Sequence, residues 1–168
     1  MNIHTLINST WNFKVVEINN SVALRSGHII AQAPLAKADF AGGSADYLEN
    51  GYILYLDVDG ALKSPSEVNA AVKAAQAPIL HYTEELFTTG LTEQLKHFAV
   101  EWNSDDEAYP RGLVLHVGDT FTTNNFTGTL ATATVAVING QGQFLVYADT
   151  AAVVTALTTY TGPLFHVV

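Results

Sequence analysis

The sequence predicts a mainly β fold, an antiparallel β-sandwich or barrel with one or two short helices, and three observations carry that expectation. Apolar and polar residues alternate over several short stretches, as strands with one buried face require. Two pairs, Asp59-Gly60 and Asn139-Gly140, stand between such stretches, where they tolerate the positive φ angles of a tight hairpin turn. Hydrophobic residues fill 48% of the 168 positions, enough for the core of one domain spanning 1–168.

Residues 1–11 are too polar to demand packing and read as an N-terminal arm. "AKADFAGGSADYLENG", with Gly42-Gly43 and Asn50-Gly51, reads as a surface loop. "YILYLDV" follows as a strand, with Tyr52, Leu54, Leu56 and Val58 on one face and Ile53, Tyr55 and Asp57 on the other. Ser64-Pro65-Ser66-Glu67 fits a capping box, so a helix is expected over 65–75, with Val68, Ala71, Val72 and Ala75 on one side and Pro78 as its stop. "LTEQLKHF" offers a second helical face through Leu91, Leu95 and Phe98, although "HFAVEW" fits a strand equally well. "NSDDEAYPRG", an acidic run closed by Pro110, reads as another surface loop. "GLVLHV" sets Leu113, Leu115 and Val117 against Val114 and His116. "TATVAVINGQGQFLVYA" forms a hairpin about Asn139-Gly140, and "PLFHVV" is a closing strand inside a sheet.

Charge narrows the function classes. The net charge is -9, from 16 acidic residues against 7 Lys plus Arg spread singly along the chain, so the clustered cations that nucleic-acid binding requires are missing. Charged residues are 14% of the chain, where an average globular protein has about a quarter. The surface is therefore neutral and rich in Thr, Ser, Asn and Gln, a kind of surface that partners cover. The start "MNIHTLINSTWNF" lacks the pattern of an export signal, and no apolar run nears the roughly 20 residues of a membrane helix, so no membrane is expected as partner. Cysteine is absent, which removes disulfides, thiol catalysis and cysteinyl metal sites.

The residues that carry chemistry elsewhere fall into no working pattern. His4, His28, His81, His97, His116 and His166 form no HxH, HxxxH or HExxH spacing, so any metal site needs His81, His97 and His116 to converge in space. "DVDG" opens like a calcium loop but lacks its later ligands, and Leu62 stands where the loop's glycine belongs; a hairpin turn explains it better. No Gly-x-Ser-x-Gly elbow and no phosphate-binding glycine loop occurs, and Ser26 and Ser44 lie in ordinary loop contexts. No catalytic residue, no metal and no cofactor is expected. Trp11 and Trp102 read as caps on the edge of the core or as anchors for a partner.

"ENGYILYLDVDGALKSP", "ILHYTEEL", "YPRGLVLHVGDTFTTNNF" and "GPLFHVV", in that order over roughly residues 49–168, resemble the small head-associated proteins of tailed bacteriophages. Those are auxiliary or decoration proteins that sit with the major capsid protein. The resemblance implies a structural virion protein that stabilises or decorates the head. Its partners would be the major capsid protein and copies of itself, and it would be assembled in the host cytoplasm and reside in the virion. It brings no catalytic residues, and residues 1–48 lie outside it. The segment 109–126 is the expected assembly contact, through Tyr109, Arg111, Phe121, Thr122, Thr123, Asn124 and Phe126. Short hydroxyl and amide side chains meet a neighbour with little loss of rotamer entropy, and Phe121 and Phe126 serve as apolar anchors or turn into the core. Another virion part (tail tube, connector or knob) or a small β-barrel enzyme or ligand binder are the competing classes. A ring in the particle marks the first and a concave pocket with convergent polar groups marks the second.

Overall fold

Alternating apolar residues build the centre of the molecule. The computed structural model describes residues 14, 16–17, 29–30, 32–37, 40, 47–82, 99–101, 108–158 and 160–168. Its strands are, in chain order, β1 (Val16–Glu17), β2 (Ile29–Ile30), β3 (Tyr47–Glu49), β4 (Ile53–Leu56), β5 (Leu62–Lys63), β6 (Ile79–His81) and β7 (Ala99–Glu101). After these come β8 (Gly112–Val114), β9 (Thr122–Thr123), β10 (Phe126–Thr127), β11 (Val135–Ile138), β12 (Phe144–Tyr147) and β13 (Phe165–His166). The fold is mainly β, and the described residues include two short α-helices, Ala70–Ala75 and Thr150–Ala156.

One sheet is antiparallel in the order β2-β8-β6-β4-β5, and the other runs β10-β12-β11-β13 with β10 parallel to β12. Two small pairs, β1 with β9 and β3 with β7, complete the described sheets. The register sets Ile53 beside Leu80 and Leu80 beside Leu113, so one face of the first sheet gathers these residues with Tyr55 and Leu115. Ala136, Ile138 and Phe144 of the second sheet pack with them, and the rings of Phe121, Phe144 and Phe165 meet at 5.1–6.3 Å. The other face of the first sheet is covered too: Leu54 and Ile79 pack with Leu35, Leu48, Leu62 and Ala108. A strand buried on both faces explains why Ile53, Leu54 and Tyr55 are all inaccessible. Each such Leu or Ile contributes about 1.5–3 kcal/mol by leaving water.

Both expected hairpins form, with the same turn. Asp57 N–H donates to Ala61 O and Gly60 N–H to Asp57 O; Asn139 N–H donates to Gln143 O and Gly142 N–H to Asn139 O. The positive-φ residue is therefore Gly60 (83°) in the first and Gly142 (91°) in the second. Gly140 does not take that role, because the Asn139 side-chain oxygen accepts from the N–H groups of Gln141 and Gln143, both at 2.9 Å, and winds the turn through all of residues 139–143.

Several expectations need correction. The first helix begins at Ala70, not near Pro65, and its cap is Asn69, whose Oδ1 accepts from Ala71 N–H at 2.9 Å. Ser64 cannot open it because the Ser66 N–H is held by Gly140 O at 2.9 Å, and residues 64–67 form a separate turn instead. Only Val68, ahead of the helix, and Val72 pack on the core; Ala71 and Ala75 are exposed. Val58 and Val117 leave the faces assigned to them, since β4 stops at Leu56 and β8 at Val114; they stand 84% and 102% exposed in the turns that follow. Asn50 and Gly51 are buried rather than on the surface, tied down by Gly51 N–H to His81 O, and Ala108 and Pro110 are buried as well. Tyr47–Glu49, read as loop, is strand β3.

The helix Thr150–Ala156 had no counterpart in the sequence reading; Asp149 caps it through Ala152 N–H at 2.7 Å, and Val153 is its buried contact. "PLFHVV" does close a sheet, as β13 beside β11. Ala99–Glu101 is strand, in line with the second reading of "HFAVEW", while "LTEQLKHF", the arm 1–11, Trp11 and Trp102 lie outside the described residues.

Candidate functional site

The segment 109–126 crosses the molecule from end to end. β8 runs parallel to β4, with antiparallel β6 between them, so residues leaving β4 and β8 emerge at one end of the sheet. That end carries the turn of residues 57–61 and the turn of residues 116–119, hence the exposed Val58 and Val117. Arg111 lies at the opposite end, where its carbonyl accepts from Tyr82 N–H and where the Asn50-Gly51 turn sits. After the second turn the chain returns to that end, because Thr123 and Asn125 pack against Gly51.

The expected contact residues therefore do not share one patch or one role. Tyr109, at 49% exposure, and Arg111 face outward, as does Thr122. Thr123 and Asn124 are half-buried, and Thr123 Oγ1 accepts from Asn125 N–H at 3.1 Å. Phe121 and Phe126 pack against the core, so of the two roles open to them the structure gives them the inward one. Asn125, which carried no expectation, is fully buried. Its Nδ2 donates to Gly51 O at 2.9 Å, its Oδ1 accepts from Gln143 Nε2 at 3.3 Å, and its carbonyl accepts from Phe144 N–H at 3.1 Å. One amide thus ties the β3–β4 turn to the second sheet. Asn125→Ala strands the buried Gly51 carbonyl and is expected to cost about 1–3 kcal/mol in urea denaturation.

His116 and Asp119 meet through the backbone. Asp119 Oδ2 accepts from His116 N–H at 2.7 Å, Asp119 N–H donates to His116 O at 3.0 Å, and Gly118 between them has φ 98°. This is the geometry of a closed turn. His81 is fully buried in β6, with Nδ1 2.7 Å from Glu49 O. A carbonyl only accepts, so Nδ1 carries the proton, and burial lowers the imidazole pKa to about 4. His97 lies outside the described residues. Among the described residues no three His, Asp or Glu side chains gather closely enough to share a metal ion.

In the "DVDG" turn an ammonium holds the place between the carboxylates. Lys63 Nζ lies 2.6 Å from both Asp57 Oδ2 and Asp59 Oδ2, and its hydrogen bonds hold both carboxyls below the usual carboxylate range. An open cleft of about 450 Å³ lies between the first helix, the turn of residues 139–142 and residues 160–163. Tyr55 and Tyr160 line it. Burial pushes the Tyr55 phenol up to about 12, with the Tyr160 charge adding to it, and also raises Tyr160, so both are neutral donors at ordinary pH. Tyr160 Oη accepts from Ile138 N–H at 3.2 Å and donates to Pro163 O at 2.8 Å, and Lys73 Nζ donates to Pro65 O at 2.7 Å. The polar groups of the cleft thus brace its own walls, and its lining contains no carboxylate or imidazole. No helix among the described residues is long and apolar enough to cross a membrane. The chain matches no protein-family model, no curated protein and no solved structure.

Proposed function

We propose that this protein is a structural component of a tailed-bacteriophage virion. It acts as a capsid-associated auxiliary or decoration protein that works by contact, without a catalytic step or cofactor. The observation that carries the reading is the pairing of a chain only 14% charged with outward-facing Tyr109, Val117 and Thr122 on the segment 109–126. Apolar and small polar side chains suit a surface that loses water permanently, because they bring little desolvation cost and little rotamer entropy to the contact. The partners are the major capsid protein and further copies of the chain, each weak contact being reinforced by the lattice.

The test uses positions where folding is indifferent to the side chain. Thr122→Lys and Val117→Lys place a cation at two exposed sites of the segment, one in the turn of residues 116–119 and one after it, leaving Thr123, Phe121 and Phe126 to their structural contacts. Each is expected to fold with an unchanged thermal midpoint and to lower incorporation into heads about tenfold, equivalent to ~1.4 kcal/mol of lost contact energy. Normal incorporation of both variants would remove this segment from the interface.

A further inference from the structure

We infer that the cleft between the first helix, the turn of residues 139–142 and residues 160–163 binds a small organic acid, one carboxylate on an apolar body, anchored by the Tyr55 hydroxyl and the Lys73 ammonium. The site stands apart from the docking of residues 109–126, none of which lines it.

Tyr55 is the exception among the polar groups of the cleft. Its ring packs in the core with Leu80, Leu115 and Ile138, and the residue is only 2% exposed, yet it reaches the cleft beside Tyr160. With the ring enclosed, the hydroxyl is the end that faces the opening. Among the described residues that hydroxyl has no hydrogen-bond partner. A buried hydroxyl without a partner is a cost to the fold, and phenylalanine would fill the same space without it. Tyr160 is already committed, since its proton goes to Pro163 O at 2.8 Å and its oxygen accepts from Ile138 N–H. Tyr55 is thus the phenol left to meet a ligand.

Lys73 sets the charge of that ligand. Its ammonium donates to Pro65 O at 2.7 Å with further N–H groups to spare, and among the described residues it pairs with no Asp or Glu. None of those residues brings a carboxylate to the lining either. The chain carries -9, but at physiological ionic strength charges beyond about 8 Å are largely screened, so an entering anion meets Lys73 first. Two donors, one of them charged, match a carboxylate.

The walls set the body of the ligand. Pro65, Pro78, Pro163, Ala70 and Ala74 present apolar surface that has no rotamers to lose on contact, so a compact hydrocarbon is held at little entropic cost. The volume of about 450 Å³ falls within the roughly 300–1,000 Å³ of small-molecule sites.

Benzoate and hexanoate, a flat and a flexible acid, test the site when titrated into the full chain and followed by amide NMR shifts, with benzamide and hexanamide as uncharged counterparts. At least one acid is expected to give saturable shifts at Lys73, Gln76 and Gly162 with a Kd of about 1 mM, and its amide to bind about tenfold more weakly. Tyr55→Phe should weaken the acid about tenfold while leaving the thermal midpoint unchanged or higher, a combination that a hydroxyl needed by the fold would not give. Lys73→Gln should abolish the preference for acid over amide. Failure of both acids to saturate, equal affinity for acid and amide, or a Tyr55→Phe variant that binds as the wild type does or melts lower overturns the inference. All of these are read on the free protein, so they leave the virion role to the incorporation measurement.

Discussion

Replacing Gly142 with alanine is expected to destabilise this protein by more than about 3 kcal/mol, whereas Gly60→Ala should cost only about 1–2 kcal/mol. The two glycines occupy the same place in the same kind of turn, with φ 91° and 83°, so the cost of putting a Cβ in the left-handed region is common to both. They differ in what surrounds them. A Cβ on Gly60 meets nothing within 4 Å, but one on Gly142 runs into the backbone oxygen of Ile53. That approach is structural: Ile53 N–H donates to Gly142 O at 2.8 Å and Ser66 N–H to Gly140 O at 2.9 Å. The hairpin of the second sheet is thereby fastened to the backbone of the first. Backbone has no rotamer into which to retreat, so alanine must push the sheets apart or lose those bonds. Urea denaturation of the two variants measures the difference; equal losses would show that the turn does not fasten the sheets.

That contrast also marks how far the sequence could be read. The two hairpins were legible because Asp59-Gly60 and Asn139-Gly140 sit between alternating stretches, yet the reading gave the left-handed position to Gly140. The choice of Gly142 depends on the Asn139 side chain reaching Gln141 and Gln143. The helix Thr150–Ala156 was hidden by Val153, Val154 and Thr155, β-branched residues that favour strands when judged alone. Its one clear start signal was Asp149. Two-residue strands such as Val16–Glu17 and Thr122–Thr123 carry no periodicity at all and exist through partners about a hundred residues away. Within the candidate contact, the exposure of Thr122 followed from its small polar character. The inward turn of Phe121 did not, because it depends on Phe144 and Phe165 arriving from the far end of the chain.

Acidification should weaken the fold well before the carboxylates are protonated, and His81 is the reason. Its imidazole is fully buried and neutral, with a pKa lowered from 6.5 to about 4 by loss of water, an effect the hydrogen bond to Glu49 O only partly opposes. The unfolded chain takes up a proton below about pH 6.5 that the folded chain refuses until about pH 4. Stability is then complete above the unfolded value and falls across that window, by on the order of 2–3 kcal/mol at pH 4.5. Asp57 and Asp59 act elsewhere: their pKa values are lowered, so what they contribute is lost only below the ordinary carboxylate range. Glu49 works in the opposite sense, since burial raises its pKa and protonation on acidification relieves the folded state, offsetting part of the loss. His81→Asn keeps a donor for the Glu49 carbonyl and removes the titration. It should be less stable than the wild type at pH 7 because it is smaller, yet nearly level between pH 7 and pH 4.5. Urea denaturation at the two pH values, with Glu49→Gln as a second variant to remove the opposing carboxylate, separates these effects. A wild type equally stable at both would show that His81 accepts a proton without leaving its place between β3 and β8.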